Sequence, residues 1–553
     1  MYDSDHTGYQ PRAAIAWAPK FESGWLKSIF GAPGKSVFRA GFAMLNDYYG
    51  EALVSFFDTQ NTLGFSSSQA LPVNTYNVTT KIPPLFTGYG QDVRSLPKIT
   101  VPSKLAFPLT YTPDMGERIE SSFDSSLRLP REYTFTFTYE REMPAGLLFH
   151  VSYEGRMGRH LLAQRDAVAF NNLRDPKSGM DWYTAATILE KIRQTVPPTN
   201  TAVTPIPYFE NIFPANLRDV MTDFEGISIP AGFTPTQTVF WMAQRLYKND
   251  WTDTQADLDL ARFGLGQPTL FVQPQWAALS TWSTVANSNY HGMIASLRQR
   301  FHSGLEWTFN YTLSHSLDDA SGLQNAAAYG GGAFILNPLR QSDSYANSGF
   351  DMRQQINVNG IYALPIGRGR SFGSGMHPVL DAFVGGWQLS GIYRWNTGLP
   401  VSAPIDDARW ATNFQVQSFT VLTRSLSTCV TKNPPKLFGC DPTFAYQSFR
   451  NPYPGETGMR NVFRLPGYYN LDMGLNKSFN VFGKGEARRL EIRWEVFNVF
   501  NHQAFGGRDT SRTGFGITYD PLARGIKPAS NFSNFTGIQG NPRVMQVGAR
   551  FVF

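Results

Sequence analysis

Tyr133 to Tyr153 reads YTFTFTYEREMPAGLLFHVSY, and its alternation decides the fold. Tyr133, Phe135, Phe137 and Tyr139 alternate with Thr134, Thr136, Thr138 and Glu140. After Met143, Pro144, Ala145 and Gly146 the pattern resumes, with Leu147, Phe149, Val151 and Tyr153 set against Leu148, His150, Ser152 and Glu154. A period of two over such lengths puts all the large apolar side chains on one face of an extended strand and the polar ones on the other. The four residues between them carry the Pro and Gly of a tight turn, so the stretch predicts an antiparallel hairpin. Its apolar face could be buried against a second sheet in water, or could meet lipid, with the tyrosines at the ends of the stripe forming an interfacial belt.

The same alternation recurs along the chain. Pro11–Pro19 and Ser36–Tyr49 read as a first strand pair. Met293, Ala295 and Leu297 face away from Arg298 and Arg300; after a turn at His302, Ser303 and Gly304, Leu305, Trp307, Phe309, Tyr311 and Leu313 alternate with Glu306, Thr308, Asn310, Thr312 and Ser314. Ile356, Val358 and Tyr362 oppose Gln355, Asn357 and Asn359, and Trp387, Leu389, Tyr393 and Trp395 line a further strand. Tyr469, Leu471, Met473 and Leu475 oppose Asn470, Asp472 and Asn476; Leu490, Ile492, Trp494 and Val496 oppose Glu491, Arg493 and Glu495. In the final stretch, Asn541 to Phe553, Met545, Val547, Ala549, Phe551 and Phe553 share one face against Gln546, Gly548 and Arg550. Eleven strands are predicted.

Composition narrows what such strands can be. Phe, Tyr and Trp make up 14% of the 553 residues, yet charged residues are only 17% and the mean hydropathy is slightly negative. A sheet with one lipid face and one aqueous face has this character. No run of eighteen apolar residues occurs, which excludes the usual helical membrane protein. The net charge of +6 is spread along the chain without a basic block, so nucleic acid is set aside as a partner. No basic and apolar leader opens the sequence.

The connections carry as much information as the strands. Turns at 143–146 and 302–304 are short, whereas the links on the other side run from about thirty to over a hundred residues, as expected for short periplasmic turns and long external loops. Residues 50–130, Asp318–Gly349 and Asn501–Gly540 read as loops, and Arg156–Asn287 as an insertion with one helical stretch, Trp182–Arg193, whose Ile188, Leu189 and Ile192 would share a face. Pro365–Gly386, with GRGR at Gly367–Arg370, reads as a turn; its glycines open no helix, so it is no phosphate cradle. Asp250, Asp253, Asp257 and Asp259 lack the glycine and closing glutamate of a calcium loop and read as a solvated helix face. Cys429 and Cys440 suit an oxidised loop staple in an exported protein, with two unrelated thiols as the alternative, and make no zinc site by themselves.

No catalytic, cofactor-binding or metal-binding residue is assigned. The histidines, among them His150, His291, His302, His315 and His502, are scattered without a nucleophile elbow, a zinc-protease motif or paired carboxylates, and His150 is expected to face an aqueous lumen.

NYHGMIASLRQRFHSGLEWTFNYTLSHSLDD (Asn289–Asp319), DMRQQINVNGIYALPIGRGR (Asp351–Arg370), GGWQLSGIYRWNTGLPVS (Gly385–Ser402), LEIRWEVFNVFNHQAFG (Leu490–Gly506) and the ending NPRVMQVGARFVF together resemble the barrel of TonB-dependent receptors, and more narrowly its large Oar-like members. The resemblance implies an all-β, antiparallel transmembrane β-barrel of about twenty-two strands. Residues 1–553 would supply roughly its C-terminal half, without the plug, the TonB-contacting box and the N-terminal domain. If the last strand runs toward the periplasm, eleven strands start the chain outside, so an odd number of strands is expected upstream. The resemblance further implies outer-membrane lipid, the barrel assembly machinery reading the strand that ends at Phe553, TonB through a plug, and an extracellular glycan, peptide or metal chelate as partners. A passive porin or surface adhesin is the alternative, and a secreted β-sandwich hydrolase the more remote one.

Overall fold

A computed structural model describes residues 5–47, 119–247, 250–273, 276–322, 334–409, 416–480, 489–506, 516–517 and 527–552. Eleven strands pair in chain order as one antiparallel meander: β1 (Arg12–Trp17), β2 (Ser36–Asn46), β3 (Arg131–Glu142), β4 (Leu147–Asp166), β5 (Ala278–His302), β6 (Leu305–Asp318), β7 (Gln354–Ala363), β8 (Trp387–Asn396), β9 (Tyr468–Asn480), β10 (Arg489–Phe497) and β11 (Val544–Val552). These are the eleven strands that the alternation predicts. Phe553, the expected terminal anchor, lies outside the described residues.

Register turns the alternation of each strand into two continuous surfaces. Trp17, Phe38, Tyr139, Val151, Ala295, Tyr311, Ile356, Trp395 and Tyr469 are successive cross-strand partners from β1 to β9. On the other face Glu140, His150, Ser296, Asn310, Asn357, Arg394 and Asn470 form the corresponding row from β3 to β9. A one-residue slip at any pair would exchange the faces, so the apolar pattern fixes the register. Neighbouring rings reinforce it: Phe38 stacks on Tyr139 at 4.7 Å between centroids, and Phe42 meets Phe135 at 5.2 Å.

The apolar face is not a core. Phe135, Phe137, Trp494 and Phe551 are 40, 49, 46 and 48% exposed, and no second sheet covers them among the described residues. A sandwich buries such side chains; a lipid-facing wall leaves them open to the acyl chains.

The rims differ as expected. On one, β3 and β4 are joined by residues 143–146, and β5 and β6 by Ser303 and Gly304 alone. Both of those residues have positive φ, 51° and 86°, the geometry of a two-residue hairpin turn. A Cβ on Gly304 would also lie 3.0 Å from the Ala363 carbonyl oxygen, so glycine is required there twice over. The opposite rim carries the links 167–277, 319–353, 397–467 and 498–543.

Several loop expectations are corrected. Strands β4 and β5 run past Arg156 and begin before Asn287, because pairing continues through register shifts around Gly158 to Ala163. Within the segment read as loop, Ile119–Phe123 is a strand parallel to the start of β5, and residues 50–118 lie outside the described residues. The Pro365–Gly386 connection is a turn at Gly367–Arg370, as expected, but also contains a helix, Pro378–Val384, started by Pro378 and by His377 accepting from the Val379 N–H. The 167–277 insertion holds α1 (Trp182–Arg193), the helix the sequence predicts. Four more helices follow: α2 (Pro207–Ile212), α3 (Leu217–Glu225), α4 (Pro235–Trp241) and α5 (Trp251–Gly264).

Candidate functional site

The polar wall and the folded loops above it are the places where a water-borne ligand would meet this protein. Paired charges stud the wall: Arg39 and Glu140 at 2.6 Å, His150 and Glu140 at 3.3 Å, Arg156 with Glu132 at 3.7 Å, and Arg298 with Glu306 at 3.7 Å. These pairs are partly solvated, so each contributes about 0–1 kcal/mol; their consequence is a hydrated surface rather than a stiff one. His150 lies on this face, as expected. Where Gly474 leaves the wall thin, a hollow of about 480 Å³ opens between Glu306, Asp472 and Glu495, with Ile361, Ile392 and Phe497 exposed on its floor.

Two compact units stand on the long-loop rim. In the first, Trp182 is wholly buried and packs its ring 5.0 Å from Phe271 and 5.9 Å from Phe209, with Leu189, Phe240 and Leu258 completing the core. Asp181 caps α1 by accepting from the Thr184 N–H at 2.8 Å. Of the expected face, Leu189 is fully buried and Ile192 packs against the core, but Ile188 is 38% exposed; Trp182, Ala185 and Ala186 complete the inner face. The reason is a buried ion pair, Glu190 with Arg193 at 2.7 Å, to which the Trp251 indole N–H also donates at 2.9 Å, and which must be turned inward with its partners. In the second unit, Phe438 meets Phe463 at 5.2 Å over a core that includes Phe449, Phe532 and Tyr446. Cys429 and Cys440 are disulfide-bonded beside it, which settles the staple against two free thiols.

Arginines tie this cap to the strand ends. Arg460 reaches Asp318 at 2.6 Å and the Ser344 carbonyl at 2.9 Å, and Arg464 pairs with the fully buried Asp351. The units clasp one another through Asn451–Glu456. Gln194 donates to the Asn451 carbonyl at 3.4 Å, and Tyr453 lies under the Arg450 guanidinium at 3.7 Å with the Lys191 ammonium 5.3 Å away. A Cβ at Gly455, whose φ is 86°, would strike the Tyr183 ring at 2.8 Å, so only glycine permits this approach.

The acidic run is neither a solvated face nor a calcium loop. Asp250 is the N-cap of α5 and accepts from Asp253 N–H at 3.1 Å. Asp259 is fully buried and accepts from the backbone N–H groups of Leu270 and Val272, at 2.8 and 2.9 Å, and of Phe271; burial pushes its carboxyl up despite those donors. Burial and the neighbouring Glu225 push Asp257 up to about 8, and the Tyr247 hydroxyl lies within hydrogen-bond reach of both Asp257 and, at 3.0 Å, Glu225. Among the described residues no three His, Cys, Asp or Glu side chains converge on a metal position.

The remaining histidines take separate structural places. His291 and His315 are cross-strand partners on the apolar side; Tyr153 Oη lies 2.7 Å from His291 Nδ1, and His315 is 3.5 Å from Asp351. His502 stacks on Tyr469 at 3.8 Å, and the side chain of His302 lies outside the described residues. Sequence reasoning had no signal for Arg460, Arg464 or the Asn451–Glu456 clasp, whose partners lie more than a hundred residues away.

The family model of an outer membrane beta barrel domain matches residues 1–546. No curated protein matches the chain. Among solved structures, the outer membrane transporter YddB of Escherichia coli aligns over 94% of the chain at 6% identity and a TM-score of 0.36, and the ferric-catecholate import receptor Fiu of E. coli K12 over 98% at 6% identity and 0.33. The FrpB iron transporter of Neisseria meningitidis aligns over 98% at 8% identity and 0.32. The chain spans 38, 34 and 39% of those three structures. The two-faced meander, the unequal rims and the family match agree: this chain belongs to the outer membrane β-barrel domain family and resides in the bacterial outer membrane.

Proposed function

We propose that the chain forms the wall and external cap of an outer-membrane receptor that takes up an extracellular ligand in a TonB-dependent way, and that it carries no catalytic role. The observation that supports this reading is the conjunction of a hydrated inner face with two packed loop units confined to one rim. A passive channel needs the hydrated face but has no use for such a cap. The resemblance of Asn289–Asp319 and Leu490–Gly506 to TonB-dependent receptors supports the energised version. Glycans, peptides and metal chelates are the candidate ligand classes, since the loop surface offers exposed aromatic, amide and guanidinium groups that suit each.

The test compares a strain deleted for the gene with its parent on panels of glycans, peptides and ferric chelates as sole sources. Selective loss of growth on one class, reproduced in the parent by a protonophore, is the expected result. Unselective loss with steady conductance of the purified full-length protein in planar bilayers would favour a passive porin. Intact uptake of every class with loss of surface attachment would favour an adhesin.

A further inference from the structure

A groove interrupts the apolar face. Between β8 and β11, near the long-loop rim, it runs down the outside of the wall with a volume of about 340 Å³, bounded by Leu389, Leu475, Trp494, Val496 and Met545. Its upper end is closed by Val499 and Arg543. A void against lipid costs its lining the dispersion contacts on one side, so an acyl chain enters it in preference to leaving it empty. Shape alone selects no particular lipid. The arginine does.

Arg543 is held in place by a built turn. The Asn498 carboxamide, itself 8% exposed, donates to the carbonyls of His502 and Asn541, each at 3.0 Å. The Arg543 N–H donates to the Asn501 side chain at 3.1 Å. The guanidinium makes one long hydrogen bond, 3.4 Å to the Val499 carbonyl, and no carboxylate pairs with it among the described residues. Its remaining donors, set in the planar fork of the guanidinium, are free for the oxygens of an anionic group such as a phosphate. Alongside stand Tyr469, stacked on His502, and Phe500, 57% exposed, the amphipathic rings that mark headgroup depth. The long-loop rim is the external one, so the groove opens to the outer leaflet.

We propose that this groove seats an acyl chain of a phosphorylated outer-leaflet lipid, with the phosphate on Arg543. The inference goes beyond ligand uptake and needs only the apolar face to meet the membrane. Full-length protein purified from outer membranes would be incubated in detergent with a diphosphorylated hexa-acyl glucosamine disaccharide, or with the same lipid after phosphatase treatment, and the bound fraction read by native mass spectrometry. The phosphorylated lipid is expected to be retained as a single adduct about fivefold more than its dephosphorylated form, as one arginine near a headgroup supplies. Arg543→Gln is expected to abolish that preference, Met545→Trp to lower retention of both lipids by filling the groove, and Arg550→Gln, on the polar face, to change neither. Equal retention of the two lipids by the wild-type protein, or an unchanged preference in Arg543→Gln, would overturn the proposal; should that variant not fold, the wild-type comparison still decides.

Discussion

The wall and the cap use the same kinds of side chain in opposite ways. In the cap Trp182, Phe209 and Phe240 are wholly buried, and Trp251 nearly so; in the wall Trp494 is 46% and Val547 76% exposed. Both regions obey the same rule, that apolar surface leaves water, but they meet different solvents. The cap stands in water and must make its own core, whereas the wall borrows the bilayer and needs only a consistent face. Polar groups follow the converse pattern: the wall leaves its ion pairs solvated, and the cap buries Glu190 with Arg193 and Asp259 beneath three backbone donors.

Four tests would break or sharpen this contrast. Trp182→Ala, which opens the centre of the first cap unit, is expected to cost that unit ~3–5 kcal/mol; trypsin on intact cells should then cleave within residues 167–277 while the wall keeps its heat-modifiable mobility in gels. Trp494→Lys places a charge on the lipid face and should destabilise the wall by roughly 2–4 kcal/mol in urea titrations of the protein in vesicles, whereas Asn310→Lys on the polar face should change little. The third concerns pH. Asp257, pushed up to about 8 when folded, holds a proton that the unfolded chain releases near pH 4, so the first cap unit is expected to lose stability as pH rises from about 4 to 8. Pulse proteolysis across that range should show the loss in the wild-type protein and a flatter profile in Asp257→Asn. The smallest effect is expected for Arg39→Ala, which deletes a solvated pair and should move wall stability by no more than about 1 kcal/mol in the same titration.

The strands were legible because each carries its instruction locally. A period of two over Tyr133–Tyr139 or Leu305–Leu313 requires no knowledge of the partner, and register then follows from aligning the faces. Helix α1 is legible from its 3.6 period, and Leu189 and Ile192 with it, but Ile188 turns outward because Glu190 and Arg193 read as surface residues until Trp251, some sixty positions on, supplies a partner for the carboxylate. The second cap unit carries no legible period because it is assembled from very short strands such as Phe449–Arg450 and Phe463–Arg464. Its core residues become visible only when distant segments, Phe438 and Phe532 among them, are brought together. The cap's anchors were hidden for the same reason: nothing local distinguishes Arg460 or Arg464 from the arginines of the wall.

The central claim is that the face bearing Phe137, Trp494 and Val547 touches lipid while the face bearing Asn310, Arg493 and Gln546 touches water. Nitroxide labels placed singly at these six positions in the full-length protein, reconstituted in vesicles, report accessibility to oxygen, which partitions into lipid, and to a water-soluble nickel complex. The account predicts alternation with a period of two, oxygen dominating at the first three sites and nickel at the last three. Labels at the first three sites shielded from both reagents would mean a dry interior instead, and the outer-membrane wall described here would be contradicted.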